Sequence, residues 1–472
     1  MSGTNNPSAL VPLANSNLID GLIYGRKWAE ATINYGFSND RTDYGAYQAA
    51  PGTPLELSTF SSVTAGAMNA ARFAMEGSTW AGARGFGIEG FTNVNIQEKI
   101  APSTGVFDAH VRYGQTIMDN PGTYGYANLP GTGPEIRAGD VWLANGKYGD
   151  VRAGTQSWYN VLHETGHSMG LKHPFETYAA PNPAGHPKLN PTYDSMEYTV
   201  MSYNSYAGEN ASSLGGNATY DYAQSYMMLD IRAFQQMYGA DFTTNAQNTT
   251  YIWQPNDGNT YIDNGAGIQV GIDAAASKIF ATIWDGGGVD TYDLSRYSTN
   301  LVIDLRPGNG SSFAQNQKAI LNDGTFTDIF AQYNVYNALQ FNNDPRSLIE
   351  RAYGGSGNDD FIGNQAANAF RGNAGVDFFN GLGGNDIYTG GAGADRFVFK
   401  NSGDGRDTIT DFDDAGGDLI YLAGSTTLTN FSSVSSRLFQ VGANVELRDT
   451  DGDVLVINNI TKAALGADDF SF

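Results

Sequence analysis

The eleven residues from His163 to His173, His-Glu-Thr-Gly-His-Ser-Met-Gly-Leu-Lys-His, constrain this chain more than any other stretch. Three of the five histidines in 472 residues fall inside it. From Ser157 to Met169 the apolar residues Trp158, Val161, Leu162 and Met169 recur at helical spacing and make one stripe. His163 and His167 lie on the other side, one turn apart, so their imidazoles can converge on a cation about 2.0–2.1 Å away. Gly170 can adopt a positive φ and end the helix, the chain turns back, and His173 arrives from outside it. Pro174 keeps the helix from resuming. Three neutral imidazoles leave one position of a zinc ion open to water, the arrangement of a catalytic rather than a structural site. Zinc lowers the pKa of that water to about 7, and Glu164 can take its proton and pass it to a leaving amine. Such chemistry hydrolyses peptides.

Two other readings compete. Gly166-His167-Ser168-Met169-Gly170 also matches G-x-S-x-G, the nucleophile elbow of serine hydrolases. That elbow needs a strand before the serine and a helix after it, whereas here the helical pattern comes first and stops at Gly170. The second competitor is a calcium-dependent binding or adhesion protein whose protease fold is inert. Inhibition of casein hydrolysis by 1,10-phenanthroline but not by a fluorophosphonate separates the three.

The histidine stretch with its glycine fits H-E-x-x-H-x-x-G-x-x-H, and Tyr198-Thr199-Val200-Met201-Ser202-Tyr203 follows as a methionine-containing turn. The chain thus resembles the metzincin zinc endopeptidases. The Ser-Tyr after the methionine resembles the serralysin family, the secreted bacterial alkaline proteases. The resemblance implies an α+β catalytic domain, a mixed sheet plus helices, followed by an all-β parallel β-roll. It also implies that Met201 forms an apolar floor under the zinc. Tyr203 is then a switchable extra zinc ligand that stabilises the tetrahedral intermediate.

A chain of this length exceeds one core and implies two or three domains. Its 49 acidic against 26 basic residues give a net charge of -23, which argues against nucleic acid or anionic membranes as partners. No apolar run is long enough to span a bilayer. The absence of cysteine excludes disulfides, thiolate metal sites and a cysteine nucleophile. The 59 glycines with abundant Asp and Asn point instead to bound calcium.

Residues 1–20 are polar, lack the pattern of a secretory signal peptide, and read as a partly disordered or removed leader. In serralysin-like precursors such a segment covers the active site until clipped. Residues 21–240 read as the catalytic domain. Within it, Lys27–Phe37 is expected to be a first strand, Thr59–Met75 a long helix, and Phe91–Gln97, Ala109–Thr116 and Gly139–Ala144 further strands. The zinc helix packs beneath that sheet. A short stretch broken by Gly125 and ended by Pro130 reads as an edge strand. In metzincins that edge pairs with extended substrate, which assigns peptide binding to Tyr124–Leu129, centred on Tyr126, Ala127 and Asn128. Ser225–Tyr238, with Met227, Met228, Ile231, Phe234 and Met237 on one side, reads as a core helix that closes this domain.

Past residue 240 helical periodicity vanishes, and residues 241–472 form the second domain. From Gly354 the units GGSGNDDFI, GNQAANAFR, GNAGVDFFN, GLGGNDIYT and GGAGADRFV repeat every nine residues up to Val398. This is the G-G-x-G-x-D-x-U-x nonapeptide of repeats-in-toxin proteins, with U a large apolar residue. Its turns use glycine where φ is positive or carbonyls face inward, and aspartate adds a carboxylate, so they offer hard oxygen ligands to Ca²⁺. Phe361, Phe370, Phe379, Tyr388 and Val398 are expected to fill the middle. Two units make one turn of a β-roll, so loops eighteen residues apart stack and share an ion. Gly355, Gly357 and Asp359 then face Gly372 and Asp377, and Asp377 faces Asp395. On the other side Asn368 faces Asp386, with Gly381 and Gly383 in the same turn. Asn368 stands where a carboxylate belongs, which weakens or empties that site.

By resemblance to serralysins, Asp285, Gly287, Asp290 and Glu350 are calcium ligands that tie the roll to its neighbours. Residues 245–249 replace an arginine- and aspartate-containing ligand loop of that family. Asp407–Phe412 and Asp418–Leu422 read as strands capping the roll, with Asp404 and Asp411 sharing one more ion. The ending Asp468-Asp469-Phe470-Ser471-Phe472 resembles the uncleaved signal of type I, ATP-driven secretion. The implied protein is a secreted, extracellular, monomeric zinc endopeptidase with several structural calcium ions. Its partners are protein or peptide substrates and a bacterial type I exporter.

Overall fold

The computed structural model describes residues 7–49, 55–77, 85–131, 137–177, 185–209, 216–322, 328–400, 403–422 and 424–472. Its first part is built on a mixed five-stranded sheet. The strands are β3 (Thr32–Phe37), β4 (Asn95–Glu98), β5 (Val111–Thr116), β6 (Gly125–Ala127) and β7 (Asp140–Ala144), in the order β4-β3-β5-β7-β6. Only β6 runs antiparallel, and it lies at one edge. The helix Gln156–Ser168 packs on β6 and β7. Thr155 caps it by accepting from the Trp158 amide at 3.2 Å, so the apolar stripe starts in register with the first turn. That stripe meets a second helix, Ala65–Glu76, where the Trp158 and Phe73 rings stand 4.7 Å apart.

Several boundaries differ from the sequence reading. Lys27–Phe37 is not one strand. Arg26–Trp28 (β2) pairs antiparallel with Ser8–Leu10 (β1), and a turn at residues 29–31 separates it from β3. The alternation slips there, since Trp28 is buried on an even position while Ile33 and Tyr35 are buried on odd ones. The long helix begins at Ala65 rather than Thr59, because Ser61 bridges to Gln115 through both backbone bonds and Thr64 then caps the helix. Phe91 closes a short helical turn, Ile88–Phe91, before β4 begins at Asn95.

The first six residues lie outside the described ones, but residues 7–20 are ordered against the fold. Val11 and Ile19 are buried, and the buried Asp20 carboxylate accepts from the Ala14 and Ser16 amides. Among the described residues, none of this segment lines the cavities beside the histidines.

Beyond the helix Met228–Tyr238 the regular elements among the described residues are mostly short strands. Two parallel ladders wind together. One runs through Thr250–Ile252, Thr291–Asp293, Arg351–Tyr353, Ala369–Ala374, Ile387–Ala392, Arg406–Ile409 and Val454–Ile457. The other runs through Val302–Asp304, Asp360–Ile362, Phe378–Asn380, Arg396–Val398, Leu419–Tyr421 and Phe470–Ser471. The roll therefore extends well outside the legible nonapeptides. The strands after residue 405 continue both ladders rather than cap them. The antiparallel pair Leu438–Val441 and Asn444–Arg448 closes the first sheet.

Phe361, Phe379 and Phe397 stack down the centre at 4.9 and 5.2 Å with rings within 12° of parallel. Phe397 takes the place expected of Val398, since register aligns Phe397 with Phe379. Replacing Phe379 with Ala is expected to destabilise the calcium-loaded protein by about 3–5 kcal/mol in urea unfolding, because the neighbours on both sides are fixed by strand pairing and cannot collapse into the gap.

Candidate metal centre and active site

The Nε2 atom of His173 stands 3.2 Å from that of His163 and 3.0 Å from that of His167. Two of the outer ring nitrogens face carbonyls: His163 Nδ1 lies 2.8 Å from the Val200 oxygen and His167 Nδ1 2.9 Å from the Leu171 oxygen. A carbonyl can only accept, so these Nδ1 atoms carry the protons and both Nε2 atoms present lone pairs. His173 Nδ1 lies 3.1 Å from Glu176 Oε1, off the line of a hydrogen bond. Burial lowers the pKa of all three imidazoles, that of His167 to about 3, which keeps them neutral. The three Nε2 atoms converge on one point, two of them with lone pairs aimed there by the carbonyls behind their rings, which is the arrangement a cation needs. Tetrahedral zinc ligands at about 2.0–2.1 Å stand roughly 3.3 Å apart, so the donor set fits that ion. Among the described residues, this is the one group of three His, Cys, Asp or Glu side chains whose ligand atoms all lie within 4.8 Å of one another.

The local chain explains the convergence. The helix ends at Ser168, Gly170 has φ +112, and a side chain there would meet the Arg26 carbonyl at 2.6 Å. Lys172, fully buried, is anchored by the carbonyls of Gly21, Glu176 and Pro187, which fixes the loop that delivers His173. Met201 packs under the helix between the two histidine turns. A Cβ on Gly166 would stand 2.6 Å from its sulfur, so a glycine is needed there.

Glu164 is buried, and its Oε2 has no hydrogen-bond partner among the described residues. Burial pushes its pKa up to about 8. It stands against the edge strand, since a Cβ on Gly125 would lie 3.1 Å from Glu164 Cγ. The Tyr203 ring, 63% exposed, lies 4.6 Å from the ring of His173 and 5.8 Å from that of His163. A cavity of about 460 Å³ opens beside Glu164, with Tyr124, Tyr159 and Tyr222 among its walls.

Edge geometry corrects part of the substrate expectation. Asn128 exchanges both backbone bonds with β7 and the residue before it at 2.9 Å, and the Ala144 amide donates to Tyr124. Tyr126, in the same parity, pairs with Trp142. The backbones of Gly125 and Ala127 are thus the ones that point away from the sheet. Of Tyr126, Ala127 and Asn128, only Ala127 offers a free edge. The serine-hydrolase reading fails on geometry, because Ser168 is fully buried at a helix end and donates to the Thr165 carbonyl at 2.8 Å.

The acidic turns of the roll stack as the eighteen-residue period requires. The amides of Asp359, Asp377 and Asn368 donate to Asp377, Asp395 and Asp386 at 2.7–2.9 Å. Added Cβ atoms on Gly355 and Gly357 would strike the Tyr297 and Thr299 carbonyls, on Gly372 and Gly381 the carboxylates of Asp377 and Asp386, and on Gly383 the nearest atom is the Gly403 carbonyl. Oδ2 of Asp377 and Asp395 is buried without a hydrogen-bond partner, an arrangement that suits a carboxylate oxygen facing a cation. Asn368 turns its amide toward the Glu350 carbonyl at 3.2 Å, which closes that position to a cation.

Asp404 and Asp411 do not share a site. Asp404 lies in the row of turns holding Asp386 and Asp407. Asp411 lies in the opposite row, where it accepts from the Gly390 and Gly391 amides. Near the start of the roll, Glu350 accepts from the Asp290 amide at 2.8 Å and Tyr251 donates to Asp285 at 2.8 Å. Gly287, with φ +147, donates to Asp285. Asp290 Oδ2 is buried without a geometric hydrogen-bond partner; burial raises the pKa of both aspartates, the charge of Glu350 adds to it at both, and the charge of Asp285 adds to it at Asp290. Residues 245–249 contribute the Thr249 amide to Asp290 and the Asn248 side chain to the Val289 amide.

Sequence reasoning missed the carbonyls of Val200 and Leu171, which orient the rings of His163 and His167, and Glu176, whose carboxylate lies beside the ring of His173. It also missed Asp407 and Asp418, which continue the two acidic rows. Their spacings of 21 and 23 residues break the period, so no repeat search at eighteen finds them.

A helix-borne histidine pair, a third histidine from the following loop, a carboxylate beside them and an open strand edge define a metallopeptidase. The comparisons narrow the class. Residues 240–312 and 307–463 match the family model described as Peptidase M10 serralysin C terminal. Metallopeptidase AprA of Pseudomonas marginalis is 36% identical over 368 residues, 72% of this chain and 70% of the relative. Metalloprotease AprA of Pseudomonas entomophila (strain L48) is 34% identical over 55% of this chain and 48% of its own. Serralysin of Proteus mirabilis is 32% identical over 53% and 46%. The chain thus spans about half the length of the latter two. It belongs to the serralysin family of metalloendopeptidases. A solved extracellular lipase, LipA from Serratia marcescens, aligns over 41% of this chain and 36% of its own at 16% identity, but its TM-score of 0.19 is too low to carry the fold.

Proposed function

We propose that this chain is a secreted zinc endopeptidase whose roll is held together by calcium. The observation that carries the reading is the convergence of the Nε2 atoms of His163 and His167 to within 3.0–3.2 Å of that of His173, with the rings of His163 and His167 held Nδ1-outward by carbonyls. Zinc, when bound there, supplies Lewis acidity toward water and the scissile carbonyl.

The chain's own residues do the rest. Substrate extends along the outer edge of β6, with its backbone bonded to Gly125 and Ala127. Glu164, buried against that edge, takes the proton of the attacking water on Oε2 and gives it to the departing amine nitrogen. A cation among the histidines lowers its pKa and keeps it ionised for the first transfer. The Tyr203 hydroxyl, on a ring stacked over the histidines, hydrogen-bonds the oxyanion as it forms. Met201 supports the histidine helix from below.

Asp285, Asp290 and Glu350, and the rows containing Asp359, Asp377, Asp395 and Asp386, hold calcium. The unpartnered buried oxygens of Asp290, Asp377 and Asp395 support this. In this reading residues 21–240 form the catalytic domain, residues 241–472 the roll and its closing strands, and residues 1–20 a leader. The acidic and apolar ending serves a type I exporter, and the protein acts extracellularly as a monomer on unfolded or extended protein. Among the described residues no helix is long and apolar enough to cross a membrane.

Casein hydrolysis in calcium buffer tests the proposal. 1,10-phenanthroline is expected to abolish it, added zinc to restore it, and a fluorophosphonate to leave it unchanged. Hydrolysis that survives complete removal of zinc contradicts the reading.

A further inference from the structure

The methionine turn rests on a buried carboxylate that the mechanism above does not use. Asp230 is fully buried in the first turn of the helix Met228–Tyr238. Its Oδ1 accepts from the Thr199 hydroxyl at 2.5 Å, and its Oδ2 from the amides of Val200 at 2.8 Å and Met227 at 3.0 Å. Among the described residues no cation pairs with it. Burial pushes its pKa up to about 7 against the pull of these three hydrogen bonds. Three donors satisfy the charge in part, and the positive end of its own helix adds to them. An isolated buried carboxylate is costly to keep, so what it touches is informative.

It touches the residue that holds a histidine, from the other side of its Cα. The Val200 amide points at Asp230, and the Val200 carbonyl accepts from His163 Nδ1 at 2.8 Å. The neighbouring Thr199 hydroxyl receives the Met201 amide at 3.0 Å while it donates to Asp230. One carboxylate therefore fixes residues 199–201, and through them the ring plane of His163 and the height of Met201 below the helix.

We infer that Asp230 is a positioning residue for the metal centre, acting on His163 through its hydrogen bonds to Thr199 and Val200 and through the Val200 carbonyl, rather than by contact with metal or substrate. The arrangement is a carboxylate–histidine pair with one hydroxyl and one peptide unit inserted between the partners. The carboxylate polarises the Thr199 hydroxyl, the hydroxyl takes the Met201 amide, and that amide shares its peptide unit with the Val200 carbonyl, which becomes a better acceptor and makes the imidazole a more basic ligand. The inference rests on the zinc reading.

The test is the zinc dissociation constant, measured by chelator competition at fixed calcium, alongside the melting temperature of the zinc-free protein. Asp230→Asn retains an oxygen for the Val200 and Met227 amides and removes the charge. It is expected to weaken zinc binding about 10-fold or more, the size of effect that partners of ligating histidines have, without lowering the zinc-free melting temperature. Thr199→Val keeps the carboxylate but removes the hydroxyl that links it to the Met201–Val200 peptide unit, and zinc binding is expected to weaken about 10-fold as well, with Thr199→Ser restoring it. Zinc affinity unchanged in Asp230→Asn overturns the inference. If that variant does not fold, Thr199→Val decides: zinc affinity within about threefold of the parent there overturns it. Failure of the parent protein to bind zinc sinks the zinc reading itself, a separate outcome.

Discussion

Replacing Glu164 with Gln is expected to lower kcat/KM on a peptide substrate by about 10³-fold, within the range that general acid–base groups contribute, while zinc content and melting temperature stay at parental values. Glu164 occupies a buried recess, and its Oε2 has no hydrogen-bond partner among the described residues. The amide therefore breaks no internal contact. What is lost is a proton acceptor beside the histidines. The loss falls on kcat, because the group is needed in the transition state and not for holding extended substrate along β6. Activity above about one-tenth of the parent with zinc fully loaded contradicts the assignment of Glu164 as the base.

Chelation of calcium is expected to unfold the roll at neutral pH and to spare it in acid. Burial raises the pKa of Asp377 and Asp407 to about 8, that of Asp386 to about 7, and those of Asp359, Asp395 and Asp404 to about 6. An unfolded aspartate titrates near 3.9. A folded pKa above the unfolded value means that the native state binds the extra proton. Stability from these groups is therefore fully present below about pH 4 and is lost as pH climbs through 6 to 8. Calcium reverses the sign, since a cation among the carboxylates favours their charged form. Melting temperatures recorded from pH 4 to 8, with calcium and with EGTA, are expected to diverge steadily as pH rises. Parallel curves contradict calcium binding in these turns.

The histidine site was almost fully legible, because a ligand set confined to one helix and the next loop is set by spacing and by the Gly170 turn alone. Its supports were not. Val200 and Asp230 reach the site from distant segments, and although Leu171 and Glu176 lie within four residues of the histidines they face, no residue pattern marks a carbonyl or a carboxylate that will face an imidazole. The roll was legible where Gly and Asp recur at nine and faded where the turns lengthen, so the coils from Thr250 to Asp304 and the rows ending in Asp407 and Asp418 escaped. Strand limits suffered where tertiary pairing overrode alternation, as at residues 29–31, and where a bridge such as Ser61 to Gln115 delayed a helix. The edge of β6 shows the limit of parity arguments. Which of Tyr126, Ala127 and Asn128 faces outward depends on the register with β7, and composition cannot supply it.

The most direct test of the account is anomalous diffraction from crystals grown with zinc and calcium, recorded on both sides of the zinc absorption edge. The account predicts one peak that appears only above the edge, about 2.0–2.1 Å from Nε2 of His163, His167 and His173. A zinc-loaded crystal with no peak among these three rings, or with its zinc held elsewhere, contradicts it.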